Sequence, residues 1–393
     1  MIIVLGLTAW FFAHKHGEHM MIGDAQDGVA LLRPEARYNQ DARLITERFA
    51  LSTDIINVIA EVGPFACTES YAAMETIDRF AWHMQNVPGV QQVITLSQIG
   101  KIVTAGYNEG SVRWRALPRN TEVMRQSLQS VETDSGLIDA PECRAMPVII
   151  FTEDHKAETI TRVVDAVKKF RAENGALKVN FRVERAQAEE AATAKGEEYR
   201  TDDVNLRLAT GSVGVAAAIN ETVSAREKPM LYLLYVAVFL MCILSFKNPL
   251  AAACIVLPLI LVTALGEALM VELQIGLKVN TLTVVALGVG IGVDYAIYIF
   301  ARMRELMQQG KGLSQAYFEA LKTTGIAIFY TALTLAVGVA TWIFSDLKFQ
   351  ADMGLMLTFM FVVNMIAAII FLPALCRWLL RPFEKVQWDP PKA

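Results

Sequence analysis

What this chain lacks narrows its class before any motif is read. Only 19% of its 393 residues are charged, against 54% hydrophobic, a balance too apolar for an ordinary soluble domain. It has no basic excess: 36 Lys and Arg stand against 40 Asp and Glu, which argues against nucleic acid as a partner. It has no Gly-x-x-x-x-Gly-Lys-Ser/Thr loop, so ATP is not the expected energy source. His14, His16 and His19 form a His-x-His-x-x-His run, but no Cys or carboxylate constellation completes a metal site around it. That run reads as a solvated juxtamembrane segment; His83 and His155 stand alone, and no metal or other cofactor is expected. Cysteine is sparse at five residues. Cys67 and Cys143 fall in the polar part of the chain, where an oxidising compartment allows either a disulfide or two buried thiols.

The charge that is present is divided unevenly. Residues 1–228 carry 25 basic and 31 acidic side chains, while residues 229–393 carry 11 and 9. In the second part lie the runs Pro229–Phe246, Leu250–Val271, Val279–Ala301, Gly325–Phe344 and Met353–Cys376, each 18 to 24 residues long. Each matches the ~20 residues that cross a hydrocarbon core. A shorter run, Ile2–Ala13, lacks the basic flank and cleavage site of a signal peptide and reads as the outer part of a truncated first span. Nine Lys and Arg flank one set of span ends and two, Lys278 and Lys348, the other. This places the 302–324 loop and the C-terminal tail in the cytoplasm and residues 17–228 outside.

The external region carries a pattern-level repeat. The run 54–62, an amphipathic helix over 70–86 and the run 90–96 form one βαβ unit. The run 146–152, a helix over about 156–173 and the alternating stretch 178–183 form another, and a polar helix is expected over 186–200. Residues 97–145 between them are turn-rich, with a helical stretch near 122–129. The expected architecture is an α+β membrane protein: a six-span helical half-bundle bearing an external domain of two ferredoxin-like subdomains, at about 40–110 and 140–215. The divisions are residues 1–16 for the first span, 17–228 for the external domain, 229–383 for the five further spans and 384–393 for the tail.

Inside the run 279–301 sits Asp294, in Leu287-Gly-Val-Gly-Ile-Gly-Val-Asp-Tyr-Ala-Ile-Tyr-Ile-Phe300. A rise of ~1.5 Å per residue puts it roughly 10 Å from the inner end of its helix. An ionised carboxylate there costs at least ~2.5 kcal/mol, so such residues usually face a bundle interior and handle protons, ions or substrate. No Lys or Arg lies deep in any span to neutralise it. Tyr295 adjoins it, either as a hydroxyl link to water or a facing helix or as a packed aromatic. Gly288, Gly290 and Gly292 offer close helix approach. Glu267 near the outer end of its span either lines an outer entrance or snorkels to the interface. Thr331, Thr334 and Asn364 are supporting candidates, the threonines able to bond back to their own helix and the amide to bridge helices. An intramembrane aspartyl protease would need a second carboxylate close by, and the spans supply none.

Taken together, the plan of one span, a large two-unit external domain and five spans resembles half of a resistance-nodulation-division (RND) transporter. The stretch Gly-Val-Gly-Ile-Gly-Val-Asp294-Tyr295 is similar to the fourth-span motif of the hydrophobe-exporting MMPL branch. Leu372-Pro373-Ala374-Leu375 and Asn220-Glu221 are also similar to that branch. The resemblance implies the C-terminal half of a proton-driven exporter of lipid-like substrates in a bacterial inner membrane, with Asp294 as proton carrier and Tyr295 as relay. It implies as partners the other half or a second copy, the bilayer, the hydrophobic substrate, and periplasmic or outer-membrane accessory proteins. An Asp-Asp pair, as in the drug-efflux branch, is not found here. A protein-secretion auxiliary or membrane scaffold of the same superfamily is the competing reading.

Overall fold

The computed structural model describes residues 1–25, 29, 31–49, 51–128, 142–154, 156–176, 178, 181–196 and 202–380. His155 and the tail at 384–393 lie outside the described residues. The chain separates into two compact units, Arg37–Ala218, and Met1–Ala36 together with Ile219–Ala393. The chain opens with helix α1 (Ile2–Gly17), which belongs to the latter.

The polar unit contains α2 (Arg37–Arg48), β1 (Ile55–Glu61), α3 (Ala66–Glu69), α4 (Tyr71–Gln85) and β2 (Val90–Ile94). It continues with α5 (Leu96–Tyr107), α6 (Thr121–Leu128), β3 (Ala145–Thr152), α7 (Ala157–Glu173), α8 (Phe181–Ala194) and β4 (Asn205–Thr210). Helices α4 and α5 begin where the sequence supplies a cap: Ser70 accepts from the Ala73 N–H and Thr95 from the Gln98 N–H. The two expected βαβ units do not form paired subdomains. Their strands interleave in one antiparallel sheet of order β2-β3-β1-β4, with β1 hydrogen-bonded to β3 on one side and β4 on the other. A two-stranded unit cannot satisfy and bury β1 on its own, so the strand recruits neighbours from the second half of the unit. Ile56, Val58 and Ala60 on β1 and Val148 and Ile150 on β3 point into one core. That core is closed by Ile77, Phe80 and Met84 of α4 and Val163, Val167 and Phe170 of α7, with the Phe80 and Phe170 rings 5.1 Å apart.

Two local expectations fail for identifiable reasons. The return strand is Asn205–Thr210; residues 179 and 180 of the expected 178–183 strand lie outside the described residues, and Phe181 to Val183 open the helix Phe181–Ala194, drawn by the Ala- and Glu-rich stretch that follows. Residues 97–107, expected to be irregular, form most of α5, whose buried face includes Leu96, Gly100 and Thr104. Cys67 and Cys143 are joined by a disulfide with Cα atoms 6.1 Å apart, tying α3 to the segment entering β3. Glu61, at the end of β1, has a side chain only 4% exposed. It accepts hydrogen bonds from Arg182 (2.6 Å), Arg207 (2.6 Å) and Asn205 (2.9 Å).

Among the described residues, five helical segments are long and apolar enough to cross a membrane. They are α9 (Ser212–Phe246), α10 (Pro249–Glu272), α11 (Val279–Gln308), the pair α12 (Leu313–Ala320) and α13 (Ile326–Ala340), and the pair α14 (Lys348–Ile366) and α15 (Leu372–Leu379). The sixth expected span corresponds to α1, which at 16 residues is shorter than these. The paired segments are joined by π-helical turns at Leu321–Gly325 and Ala367–Phe371. Tyr317 donates to the Ile369 carbonyl at 2.8 Å, giving a partner to backbone within the second turn. Asn248 caps α10 through the Leu250 and Ala251 N–H groups, and Thr281 accepts from the Lys278 N–H at the start of α11. The chain is thus a multi-pass α+β membrane protein.

Candidate functional site

The site is built on α11, whose inward and outward faces are sharply different. Val284, Val285, Gly288, Val289, Gly292, Tyr295, Ala296 and Ile299 are buried at helical spacing. Gly288 and Gly292 let α14 approach. A Cβ on Gly288 would lie 2.5 Å from Met360 Cε, and one on Gly292 would lie 2.5 Å from Asn364 Cγ. Asn364 is 2% exposed and its amide donates to the Gly288 carbonyl at 2.8 Å, bridging α14 to α11. Gly290 is on the opposite face, where an added Cβ would meet nothing within 4 Å.

Asp294 shares that opposite face. Thr283, Leu287, Gly290, Asp294, Tyr298 and Ala301 are all exposed, spaced by three or four residues in a continuous stripe. The expectation that Asp294 faces the interior of its own bundle is therefore corrected. The inward stripe of α11 is set by Gly288, Gly292, Tyr295 and Ile299, and Asp294 falls on the far side of the helix from it. Among the described residues, Asp294 has no hydrogen-bond or ion-pair partner. Tyr295 points the other way: it is 3% exposed, and its buried hydroxyl has no partner among the described residues either.

Beside the stripe, an open groove of about 610 Å³ runs between α11 and α13. Tyr295, Tyr298, Arg302, Ala327 and Thr331 line it. Thr331 and Thr334 bond back to the carbonyls of Ala327 and Tyr330, at 2.9 and 2.7 Å, so neither hydroxyl reaches Asp294. The segment Leu313–Phe344 that forms one wall is largely uncovered, with 17% of its most apolar stretch buried against 50% for α11.

Glu267 is far from this stripe, part-buried on α10 against the end of α1, where Gly17 leaves room for it. The site therefore gathers Asp294, Tyr295, Gly288, Gly292 and Asn364 around α11 and leaves out Glu267, Gly290 and the two threonines as direct partners. A polar contact that the residue pattern did not single out lies elsewhere in the bundle: Tyr235 on α9 donates to Thr263 on α10 at 2.6 Å. Its only signal was a hydroxyl in each of two adjacent apolar runs. No group of three or more His, Cys, Asp or Glu able to hold a metal occurs among the described residues.

A membrane protein of Methanocaldococcus jannaschii is 25% identical over 186 residues, covering 44% of this chain and 48% of that protein. The sulfolipid-1 exporter MmpL8 of Mycobacterium tuberculosis is 26% identical over 176 residues, 42% of this chain and 16% of the exporter. The membrane protein ActII-3 of Streptomyces coelicolor is 27% identical over 185 residues, 44% of this chain and 26% of that protein. The chain thus matches about half the length of the first of these relatives and less of the other two. The family model for MMPL matches residues 176–388, which include the whole α9–α15 bundle and the Asp294 stripe, and the chain belongs to the MMPL family.

Proposed function

We propose that this chain forms part of a proton-driven exporter of hydrophobic or lipid-like molecules, set in a bacterial inner membrane with the Arg37–Ala218 unit on the periplasmic side. The observation that carries the reading is Asp294: a carboxylate without a partner among the described residues, on an exposed helical stripe, in the middle of an apolar span. Left against lipid and ionised, such a group is costly, so its place in a working transporter is opposite another protein surface. The Thr283-to-Ala301 stripe and the adjoining groove fit a second bundle, supplied by another half or another copy. Protonation removes the charge, and the two charge states favour two packings of that seam.

In this scheme Asp294 takes up and releases the proton. Tyr295 is the relay partner, a role supported by its place in the lining of the groove beside the stripe and by a buried hydroxyl with no partner among the described residues. Gly288, Gly292 and Asn364 fix α11 against α14, so that motion is confined to the exposed side. A lipid-like cargo is supported by the sulfolipid-exporting relative and the apolar walls of the bundle.

The test is export from proteoliposomes carrying the chain with its complementary half, under an imposed pH gradient, using lipids extracted from the host. Wild type should move lipid only with the gradient. Asp294→Asn should abolish gradient-dependent export while the protein remains folded. Gradient-independent lipid movement, or full activity of Asp294→Asn, would refute the scheme. Proton flux without lipid movement would favour a secretion auxiliary of the same architecture.

A further inference from the structure

A pair of carboxylates lies on α9 and α10, away from the Asp294 stripe. Along α9 the side packed on its neighbours includes Val223, Glu227, Tyr235, Val238, Cys242 and Phe246, a helical seam whose members are apolar except at Glu227 and Tyr235. Val223, one turn before Glu227, belongs to a buried cluster that also holds Met270, Ile275 and Leu277. Glu227 is 8% exposed, and among the described residues its carboxylate has no hydrogen-bond or ion-pair partner.

The Tyr235–Thr263 hydrogen bond fixes the register of these antiparallel helices. Two turns along α9 from Tyr235 is Glu227, and one turn along α10 from Thr263, in the same direction, is Glu267. The two residues are therefore offset by about one helical turn, roughly 5 Å along the axis, with each carboxylate within electrostatic reach of the other. The end of α1 covers Glu267: a Cβ on Gly17 would lie 3.3 Å from Glu267 Cβ and 3.5 Å from its Oε2.

The charged groups around the pair do not neutralise it. Lys228 acts on both carboxylates, but it lies on the exposed side of α9 and reaches neither as an ion pair. On α1, His16 is engaged with Glu272 at 3.6 Å, and His14 stacks on Trp10. Two like charges that act on each other in a part-buried setting cannot both be carried at low cost. Two residues beyond Glu227, Pro229 interrupts α9, leaving the Ala225 carbonyl without its helical donor and giving the helix a place to bend.

We propose that Glu227 and Glu267 form a second proton-binding site, a carboxyl–carboxylate pair that shares one proton and holds α9 against α10 beside the Pro229 bend. With the proton present, one carboxyl donates to the other and the seam stays closed. Without it, two carboxylates repel and α9 swings out about Pro229. The site does not depend on the role given to Asp294, and removing Asp294 leaves it intact.

The test is infrared difference spectroscopy of the full chain in lipid, titrated with pH, in an Asp294→Asn background so that Asp294 contributes no carboxyl signal. A protonated-carboxyl C=O band should be present at neutral pH. It should be lost in both Glu227→Gln and Glu267→Gln, since each leaves the other carboxylate without its like-charged partner. The amide band of the same spectra reports that the helices remain folded. Absence of the band in the Asp294→Asn protein, or a band unchanged by both glutamine variants, would overturn the proposal.

Discussion

Replacing Gly292 by alanine places a methyl group 2.5 Å from Asn364 Cγ, inside the contact that seats α11 on α14. Asn364 is 2% exposed and cannot turn away without giving up its 2.8 Å bond to the Gly288 carbonyl. Overpacking of this kind costs ~1–3 kcal/mol. Losing an interhelical hydrogen bond in a membrane costs on average about 0.6 kcal/mol more. The better helix propensity of alanine returns up to about 1 kcal/mol. The net expectation is a loss of about 1–3 kcal/mol for Gly292→Ala. At Gly290, where an added Cβ meets nothing within 4 Å, only the propensity gain remains, and Gly290→Ala should be neutral or slightly stabilising. Reversible unfolding of the full chain in mixed micelles measures both. A double-mutant cycle with Asn364→Ala should show coupling at position 292 and none at 290. Equal destabilisation by the two alanines, or an additive cycle at 292, would refute this account of the glycines.

Three further outcomes follow, two from the polar unit and one from the α9–α10 hydrogen bond. Burial pushes the Glu61 carboxyl up, but its hydrogen bonds from Asn205, Arg207 and Arg182 outweigh this and hold it below the ordinary value of 4.5. Its contribution is therefore complete above the unfolded value and is lost as pH falls through the lower folded one. Glu61→Gln should cost about 1–3 kcal/mol at neutral pH, and the difference from wild type should shrink in acid melts; a constant difference would contradict the assignment. Reducing the Cys67–Cys143 bond, which closes a separation of 76 residues, should destabilise the unit by about 4 kcal/mol on the chain-entropy model; melts with and without reductant should differ accordingly. Tyr235→Phe removes the donor to Thr263 while keeping the ring, and should cost roughly 0.6–1.7 kcal/mol; no change in the same micelle assay would show that the bond does not help hold α9 to α10.

Much of this architecture was legible in residue periodicity. The apolar runs over 229–376 became the five membrane-length segments, because length and hydropathy alone decide that question. The 70–86 helix pattern became α4, with its serine cap and its buried Ile77, Phe80 and Met84. Strand partnership was not legible, since β1 pairs with residues some ninety positions away on one side and about 150 on the other, and a local pattern carries no record of that. The stretch 178–183 alternates like a strand, yet at Phe181 a helix begins, so short alternation lost to the propensity of its neighbours. Asp294 was visible as an isolated charge, but which way it faces depends on which α11 residues meet α14. Met360 and Asn364 decide that, from a helix about 70 residues further on. Glu227 escaped notice because it precedes Pro229, where the apolar run begins, although it lies four residues from Val223 and eight from Tyr235 on one helical face.

The most direct test of the central claim is labelling with a hydrophobic carbodiimide, which reacts with protonated carboxyls accessible from lipid. The chain reconstituted with its complementary half in liposomes would be treated across a range of pH and the modified residues mapped by mass spectrometry, with proton flux measured on the same vesicles. Modification at Asp294 should fall as pH rises and should stop proton flux in step with its extent. An unlabelled Asp294, or complete labelling with proton flux undiminished, would contradict the claim that this carboxylate carries the proton.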